Sequence, residues 1–107
     1  MKATKSNILA YLKKIKPKLQ QDGIINLGLF GSYAKNNADL ASDIDIAFET
    51  TTKFANKFVG FKAFVYLENL RNELSNIFHI KVDFCDISGF KNNPKKKDDI
   101  LDGVIYV

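Results

Sequence analysis

The sequence has too few cysteines and histidines to build a disulfide framework or a zinc finger. Cys85 is the only cysteine and His79 the only histidine among 107 residues. No internal disulfide can form, and His79 has no second histidine with which to share a metal ion. A lone thiol is typical of a reducing compartment, so we expect a cytoplasmic protein.

The chain also lacks an apolar run long enough to cross a bilayer, which takes about 20 residues. Near the N-terminus, Lys13, Lys14 and Lys16 interrupt the apolar stretch that ends at Leu12, so we predict no signal peptide. The sequence contains no internal repeat, linker or low-complexity segment. With 46% hydrophobic and 26% charged residues, its composition is that of a globular protein. We therefore predict one domain spanning residues 1–107 and no association with a membrane.

The net charge of +4 comes from 16 basic and 12 acidic residues that are unevenly distributed. Residues 1–20 carry six lysines and no acid, whereas four acids lie between positions 39 and 49. A basic rim near an acidic centre suits a site that binds phosphate through metal, and it suits ordinary solvated faces equally well. The lysine run at positions 95–97 leaves direct RNA binding open, because the solvated first turn of a helix explains it more simply.

Hydrophobic periodicity predicts a small α+β (or α/β) protein in which helices flank one mixed β-sheet. Short apolar or alternating segments predict strands at 24–30, 43–48 and 80–85. Helical spacing predicts a first helix, a long helix after Thr52 and a short one from Pro94 to Gly103. The apolar positions of the long helix include Phe58, Phe61, Val65, Leu70, Leu74 and Ile77.

Two aspartates of the second predicted strand are candidates for metal binding and catalysis. Asp43 and Asp45 are separated by one residue, so on a strand both carboxylates project from the same face. Ile44 and Ile46 then point to the opposite face, into the core. Taken alone, this alternation also describes an edge strand with one solvated face.

A possible phosphate site lies where the first predicted strand ends. Gly31 allows backbone N–H groups to approach a ligand closely, and Ser32 adds a hydroxyl donor at the start of a helical turn. Lys35 adds a positive charge one turn later. Ser42 either donates a hydrogen bond to a phosphate or simply begins the next strand.

The third predicted strand supplies a further carboxylate, Asp83, which a sheet can bring next to Asp43 and Asp45. Three carboxylates in one pocket repel one another unless cations neutralise them. A metal ion is therefore the expected occupant, and Mg²⁺ is favoured because it binds carboxylates together with substrate phosphates.

The segments 30–35 (Phe-Gly-Ser-Tyr-Ala-Lys) and 42–46 (Ser-Asp-Ile-Asp-Ile) resemble the signature of the DNA polymerase β-like nucleotidyltransferase superfamily. The short chain, Lys-Val-Asp at 81–83 and the ending Gly-Val-Ile-Tyr at 103–106 look like its minimal nucleotidyltransferase branch. That branch contains the MntA-type antitoxins that are partnered with HEPN-domain toxins. The resemblance covers residues 27–106 and implies the polymerase β-like nucleotidyltransferase fold.

The resemblance implies that the protein transfers a nucleoside monophosphate, usually AMP from ATP, to an acceptor hydroxyl. Asp43 and Asp45 would bind two Mg²⁺ ions, and Asp83 would complete one metal site and help to deprotonate the acceptor. Gly31 and Ser32 would hold the β- and γ-phosphates. The acceptor would be a tyrosine of a HEPN ribonuclease toxin, which the transfer neutralises.

Two features of the sequence bear on these expectations. The family commonly has Arg-Gly where this chain has Lys35-Asn36, so the bidentate phosphate contact of arginine is absent. Asn36 replaces glycine mildly, because asparagine tolerates the left-handed conformation. The alternative function is a non-catalytic nucleotide-binding or protein-binding module that neutralises a partner by contact. Its interface would be the phenylalanine-rich segment 54–64 or the apolar tail 104–107.

Overall fold

The computed structural model describes residues 1–107 and contains one four-stranded mixed sheet. Its strands are β1 (Ile24–Phe30), β2 (Ile44–Thr50), β3 (Val82–Asp86) and β4 (Ile105–Tyr106). The strand order is β3-β2-β1-β4, with β1 antiparallel to both β2 and β4 and with β2 parallel to β3. The predicted mixed sheet flanked by helices is confirmed.

Five helices and one 3-10 turn surround the sheet. They are α1 (Lys5–Gln21), α2 (Gly31–Ala34), α3 (Thr52–Lys57), α4 (Phe61–Phe78), a 3-10 helix (Ile87–Phe90) and α5 (Pro94–Ile100). The side chain of Thr4 caps α1 by accepting a hydrogen bond from the Asn7 amide at 3.1 Å. No helix among them combines the length and the hydropathy that a bilayer crossing requires.

The two faces of the sheet are covered unequally. Ile44, Ile46 and Phe48 of β2 are buried in a main core with residues from α1, α4 and the other strands. The opposite face is covered only by a small cluster in which Ala47 packs with Ile87 and Leu101. Successive residues of a strand point to opposite faces, so the acidic positions of β2 lie on this less covered side.

The predicted long helix is in fact two helices, and its apolar face is only partly buried. The chain breaks between α3 and α4 at Gly60, whose φ of 61° is a conformation that favours glycine. The fully buried residues of α4 are Leu74 and Phe78, both in its C-terminal half. Phe61 and Val65, which the spacing placed on the apolar face, are exposed because the N-terminal half of α4 has no element packed over that side.

The C-terminal tail forms a fourth strand that the sequence analysis does not predict. Gly28 and Leu29 of β1 pair with Tyr106 and Ile105 of β4. The tail is therefore an edge strand of the sheet, and its use as an interface stays a prediction. Two paired residues are too short a run to give a strand pattern that can be read from sequence.

A buried carboxylate connects the helices to one another. Asp22 is 1% exposed and accepts hydrogen bonds from Lys18 at 2.9 Å, Lys57 at 2.5 Å and the Tyr66 hydroxyl at 2.7 Å. Burial by itself raises the pKa of Asp22, but the hydrogen bonds from Lys57, Lys18 and Tyr66 outweigh it and hold the pKa below its usual range. The ionised Asp22 thus joins α1, α3 and α4.

We expect Asp22→Asn to lower the free energy of unfolding by about 2 kcal/mol at neutral pH, because it removes charge-assisted hydrogen bonds. The folded pKa lies below the unfolded value of 3.8, so this stabilisation is present above that value and is lost as the pH falls below it. Urea unfolding at several pH values checks both points. The matched control is Asp102→Asn, which removes an exposed carboxylate 3.5 Å from Lys35 and should change stability little. An equal loss in both variants, or a difference that persists at acidic pH, would contradict the assignment.

Candidate active site

The ends of three strands bring the predicted acidic residues together. Asp45 of β2 is paired with Phe30 at the end of β1 on one side and with Asp83 of β3 on the other. Asp43 directly precedes β2, two positions before Asp45, so it lies on the same side of the sheet. Paired strands are about 4.8 Å apart, so Asp45 and Asp83 are direct neighbours. The structure thus brings Asp43, Asp45 and Asp83 to one side of the sheet, and their roles in metal binding and catalysis stay predictions.

Asp45 is the central and most constrained of the three carboxylates. Partial burial raises its pKa first, and the negative charges of Asp83 and Asp43 raise it further. The pKa of Asp45 is thus raised because three like charges lie close together on one partly covered face of the sheet. Such an arrangement is costly for the isolated chain and favours a cationic ligand.

Gly31 lies directly against the side chain of Asp45. Its φ is 72°, and a Cβ atom added there would overlap Oδ2 of Asp45. No other residue fits so close to the carboxylate in this backbone conformation. The following residue, Ser32, lies in the short α2 turn and its hydroxyl makes no hydrogen bond within the chain, so it is free to contact a ligand. The structure thus brings Gly31 next to the acidic residues, as the sequence predicts.

Lys35 and Ser42 contact other residues. The Nζ atom of Lys35 is 3.5 Å from Oδ2 of Asp102, and Lys35 lies just after the last residue of α2. The hydroxyl of Ser42 accepts from the Asp39 amide at 2.9 Å and donates to the Asp39 carboxylate at 3.2 Å, which shapes the loop before β2. Their roles as phosphate ligands stay predictions.

The asparagine that follows Lys35 has the backbone conformation expected of it. Asn36 adopts a φ of 58°, in the left-handed region that glycine would occupy most easily. The difference from the family pattern at this position is therefore accommodated by the turn.

One cation that the sequence analysis misses lies among the acids. The Nζ atom of Lys81 is 3.6 Å from Oδ1 of Asp83 and 3.9 Å from Oδ2 of Asp43. Lys81 is two residues before Asp83, so the same-face rule for strands could have identified it. The Lys81 side chain is 67% exposed, so it neutralises the carboxylates only weakly and can move aside for a ligand.

A cleft of about 490 Å³ opens beside Asp83, between α4 and β3. Of the three carboxylates only Asp83 lines it, together with Lys81 and with Phe64 and Arg71 of α4. The pKa of Arg71 is raised, mainly by Glu68, whose carboxylate it contacts at 2.7 Å, and also by the charge of Asp83. Arg71 is missed from sequence because only the packing of α4 along β3 brings a helix residue to this strand.

The donor set suits a hard divalent cation, although no three of the carboxylates stand at the spacing of a complete metal site. Asp43, Asp45 and Asp83 offer carboxylate oxygens, which Mg²⁺ prefers. Mg²⁺ is usually held by one or two protein carboxylates together with waters and substrate phosphates, so a preassembled cage is not required. The raised pKa of Asp45 and the close approach of Gly31 fit a cation and a phosphate at this point.

Comparison with known proteins agrees with this geometry. Residues 13–106 match the family described as "Polymerase beta, Nucleotidyltransferase". Two Methanocaldococcus jannaschii proteins, each named "Putative protein adenylyltransferase" (MJ0126 and MJ0128), are 31% and 34% identical over 105 residues. These alignments cover 97% of this chain and 98% of each relative.

The fold has a counterpart among solved structures. A structure described as a "putative minimal nucleotidyltransferase" superposes with a TM-score of 0.71 at 17% sequence identity, covering 98% of this chain and 97% of the other. The shared fold, the family match and the relatives together confirm the expected fold and the expected enzyme class. This chain is a nucleotidyltransferase and belongs to the polymerase beta nucleotidyltransferase family.

Proposed function

We propose that this protein is a Mg²⁺-dependent protein adenylyltransferase that moves AMP from ATP onto a hydroxyl of a partner protein. The observation that carries the proposal is that Asp45 and Asp83 are paired across β2 and β3. Asp43 lies on the same face, and Gly31 lies against the Asp45 carboxylate. The relatives that match nearly the whole chain are named as protein adenylyltransferases, which supports a protein acceptor.

The triphosphate of ATP binds at Gly31 and Ser32 in this proposal. The backbone N–H groups at the start of α2 and the free Ser32 hydroxyl donate hydrogen bonds to its β- and γ-phosphates. Lys35 and Ser42 join them after leaving Asp102 and Asp39, their present partners. The contact of Lys35 is the weaker of the two, since an ammonium group lacks the fork geometry of arginine.

The acceptor hydroxyl enters from the cleft beside Asp83. Its oxygen attacks the α-phosphorus of ATP and forms the new P–O bond, while the bond between the α-phosphorus and the bridging oxygen breaks. Pyrophosphate leaves with that electron pair, and the hydroxyl proton passes to the Asp83 carboxylate. Asp83 lines the cleft and is half-exposed, so it can reach an incoming hydroxyl.

Two Mg²⁺ ions would be held by Asp43 and Asp45, with Asp83 completing one of the sites. When bound, they neutralise phosphate charge and stabilise the attacking and leaving oxygens. Lys81 must then give up its contacts to Asp43 and Asp83, which its exposure allows. Positioning and charge neutralisation supply most of the catalysis in phosphoryl transfer, so this small scaffold is sufficient.

The partner in this proposal is a HEPN-domain ribonuclease toxin, and the protein is its cytoplasmic antitoxin. The chain matches 98% of the length of two relatives that are named for acting on protein, and the cleft beside Asp83 is open to solvent. In this proposal the bound toxin itself presents the acceptor, a tyrosine hydroxyl, to the site.

The alternative is a non-catalytic module that neutralises its partner by contact. One observation favours it: Phe61 and Phe64 of the phenylalanine-rich segment are exposed. The grouped carboxylates argue against it, because a contact surface gains nothing from mutually repelling acids. The two functions differ in whether a variant without Asp43 still neutralises the toxin.

Transfer is tested by mixing the protein with α-labelled ATP, Mg²⁺ and a HEPN-domain toxin. We expect label on the toxin, and we expect Asp43→Ala and Asp83→Asn each to reduce the labelling rate by about 100-fold or more, as losses of charge stabilisation at a transition state do. The matched control is Asp98→Ala, an exposed acid of α5. Absence of label, or equal labelling by Asp43→Ala, would falsify catalysis. Toxin neutralisation by the unlabelled complex would then favour the contact-only function.

Nucleotide binding is tested at Gly31, where an added Cβ would overlap Asp45. ATP with Mg²⁺ at about 100 times its Kd should stabilise the wild type by about 2.7 kcal/mol, and Gly31→Ala should lose most of this gain. Gly89→Ala is the matched control, since nothing lies within 4 Å of its added Cβ. Thermal melting of each variant with and without nucleotide separates binding from basal stability. If Mg²⁺-ATP raised the melting temperature of Gly31→Ala as much as that of the wild type, phosphate binding at Gly31 and Ser32 would be ruled out.

A further inference from the structure

The start of α4, together with Val59 just before it, exposes several large apolar side chains. Val59, Phe61, Phe64 and Val65 are 69%, 81%, 59% and 47% exposed, and they make up half of the large apolar residues exposed in the chain. We call these four residues the α4 face. The rings of Phe61 and Phe64 contact edge to face, with centroids 5.8 Å apart. Clustered exposed aromatics of this kind mark interaction sites more often than isolated apolar residues do.

The α4 face borders an apolar hollow of about 410 Å³. Phe58, Phe61, Val65 and Tyr66 form its apolar walls. Two contacts hold Tyr66 in place, because its hydroxyl is hydrogen-bonded to buried Asp22 and its ring packs on Phe58 with centroids 4.6 Å apart. An apolar hollow of this kind suits the insertion of one large apolar side chain.

The unpaired charges near the α4 face are basic. From Thr50 to Leu67 the chain has three lysines and no acid, and the next acid, Glu68, is paired with Arg71 at 2.7 Å. Lys57 is paired with Asp22, whereas Lys53 and Lys62 are exposed and form no salt bridge. A partner that covers this surface therefore gains most if acidic residues surround its apolar ones.

The same helix connects the α4 face to the cleft beside Asp83. Phe64 belongs to the α4 face and also lines the cleft that contains Arg71 and Asp83. Arg71 is seven positions after Phe64, which is about 10 Å along a helix. A segment that lies on the α4 face is therefore within one or two helical turns of Asp83.

From these observations we propose that the α4 face is the docking site for the acceptor protein. Its ligand is an acidic amphipathic helix of that protein, which inserts an apolar side chain into the hollow and places its glutamates or aspartates near Lys53 and Lys62. This proposal rests on the proposed function, because it assigns to this surface the protein that receives AMP. The docked helix holds the acceptor beside the cleft and thereby raises the local concentration of its hydroxyl at Asp83.

Two other occupants fit the surface less well. A second copy would bring the same lysines against each other, since a two-fold interface uses the same patch on both chains. An anionic membrane would satisfy the lysines but leave the concave hollow unfilled.

Binding is tested with a fluorescent peptide, a synthetic helix that carries leucines at i, i+3 and i+7 with glutamates elsewhere. The wild type should bind it, and Val59→Ser/Phe61→Ser should weaken binding by about tenfold or more in fluorescence anisotropy. Neither substituted residue lines the cleft, so the thermal shift with Mg²⁺-ATP should stay unchanged. Lys53→Glu/Lys62→Glu should weaken binding too, whereas the controls Ile100→Ser and Lys95→Glu/Lys96→Glu should not.

Several results would overturn the proposal. One is equal binding of a peptide whose glutamates are replaced by lysines, and another is unchanged binding by Val59→Ser/Phe61→Ser. A concentration-dependent dimer that Phe61→Ser abolishes would assign the face to a second copy. Binding to phosphatidylserine vesicles, with none to the peptide, would assign it to a membrane. If the peptide binds as expected but Mg²⁺-ATP gives no thermal shift in the wild type, the docking face stands and the proposed transfer fails.

Discussion

The parallel pairing of β2 with β3 places Asp45 directly beside Asp83, and the rest of the candidate site is arranged around these two like charges. The core holds them there: Ile44 and Val82, the paired residues just before them, are both buried. Because neighbouring positions of a strand face opposite ways, burying these two apolar residues forces both carboxylates to the other side. The stability of the core thus maintains an electrostatic repulsion that a cationic ligand relieves.

The unequal covering of the sheet explains why the site is open. A parallel strand pair is usually covered on both faces. Here the acidic side carries only the small cluster around Ala47, which leaves Asp43, Asp45 and Asp83 accessible. The antiparallel β1 brings its last residue, Phe30, to the same edge, so that Gly31 begins the α2 turn against Asp45. Strand direction therefore decides that the acids and Gly31 meet.

The buried Asp22 links the distant parts of the molecule. It contacts Lys57 of α3 and Tyr66 of α4, so the break at Gly60 does not leave α4 free to move relative to α1. Tyr66 is also a wall of the apolar hollow, which makes the hollow part of the same hydrogen-bonded unit. The interaction that orients α4 over the cleft is thus the one that shapes its exposed N-terminal face.

Local sequence determined the strand at 24–30, the outward direction of Asp43 and Asp45, the left-handed turn at Asn36 and the glycine at the end of β1, because each depends on residues that are neighbours in the chain. The class of enzyme could be inferred as well, because the two short segments 30–35 and 42–46 resemble the signature of a known family. Only the tertiary structure decided that Asp83 pairs with Asp45, that Arg71 and Lys81 share its surroundings, and that Phe61 and Val65 are exposed. These three features depend on strand order and on how far α4 extends past the elements next to it. Helical periodicity shows which residues share a face of a helix, but it does not show whether another element covers that face.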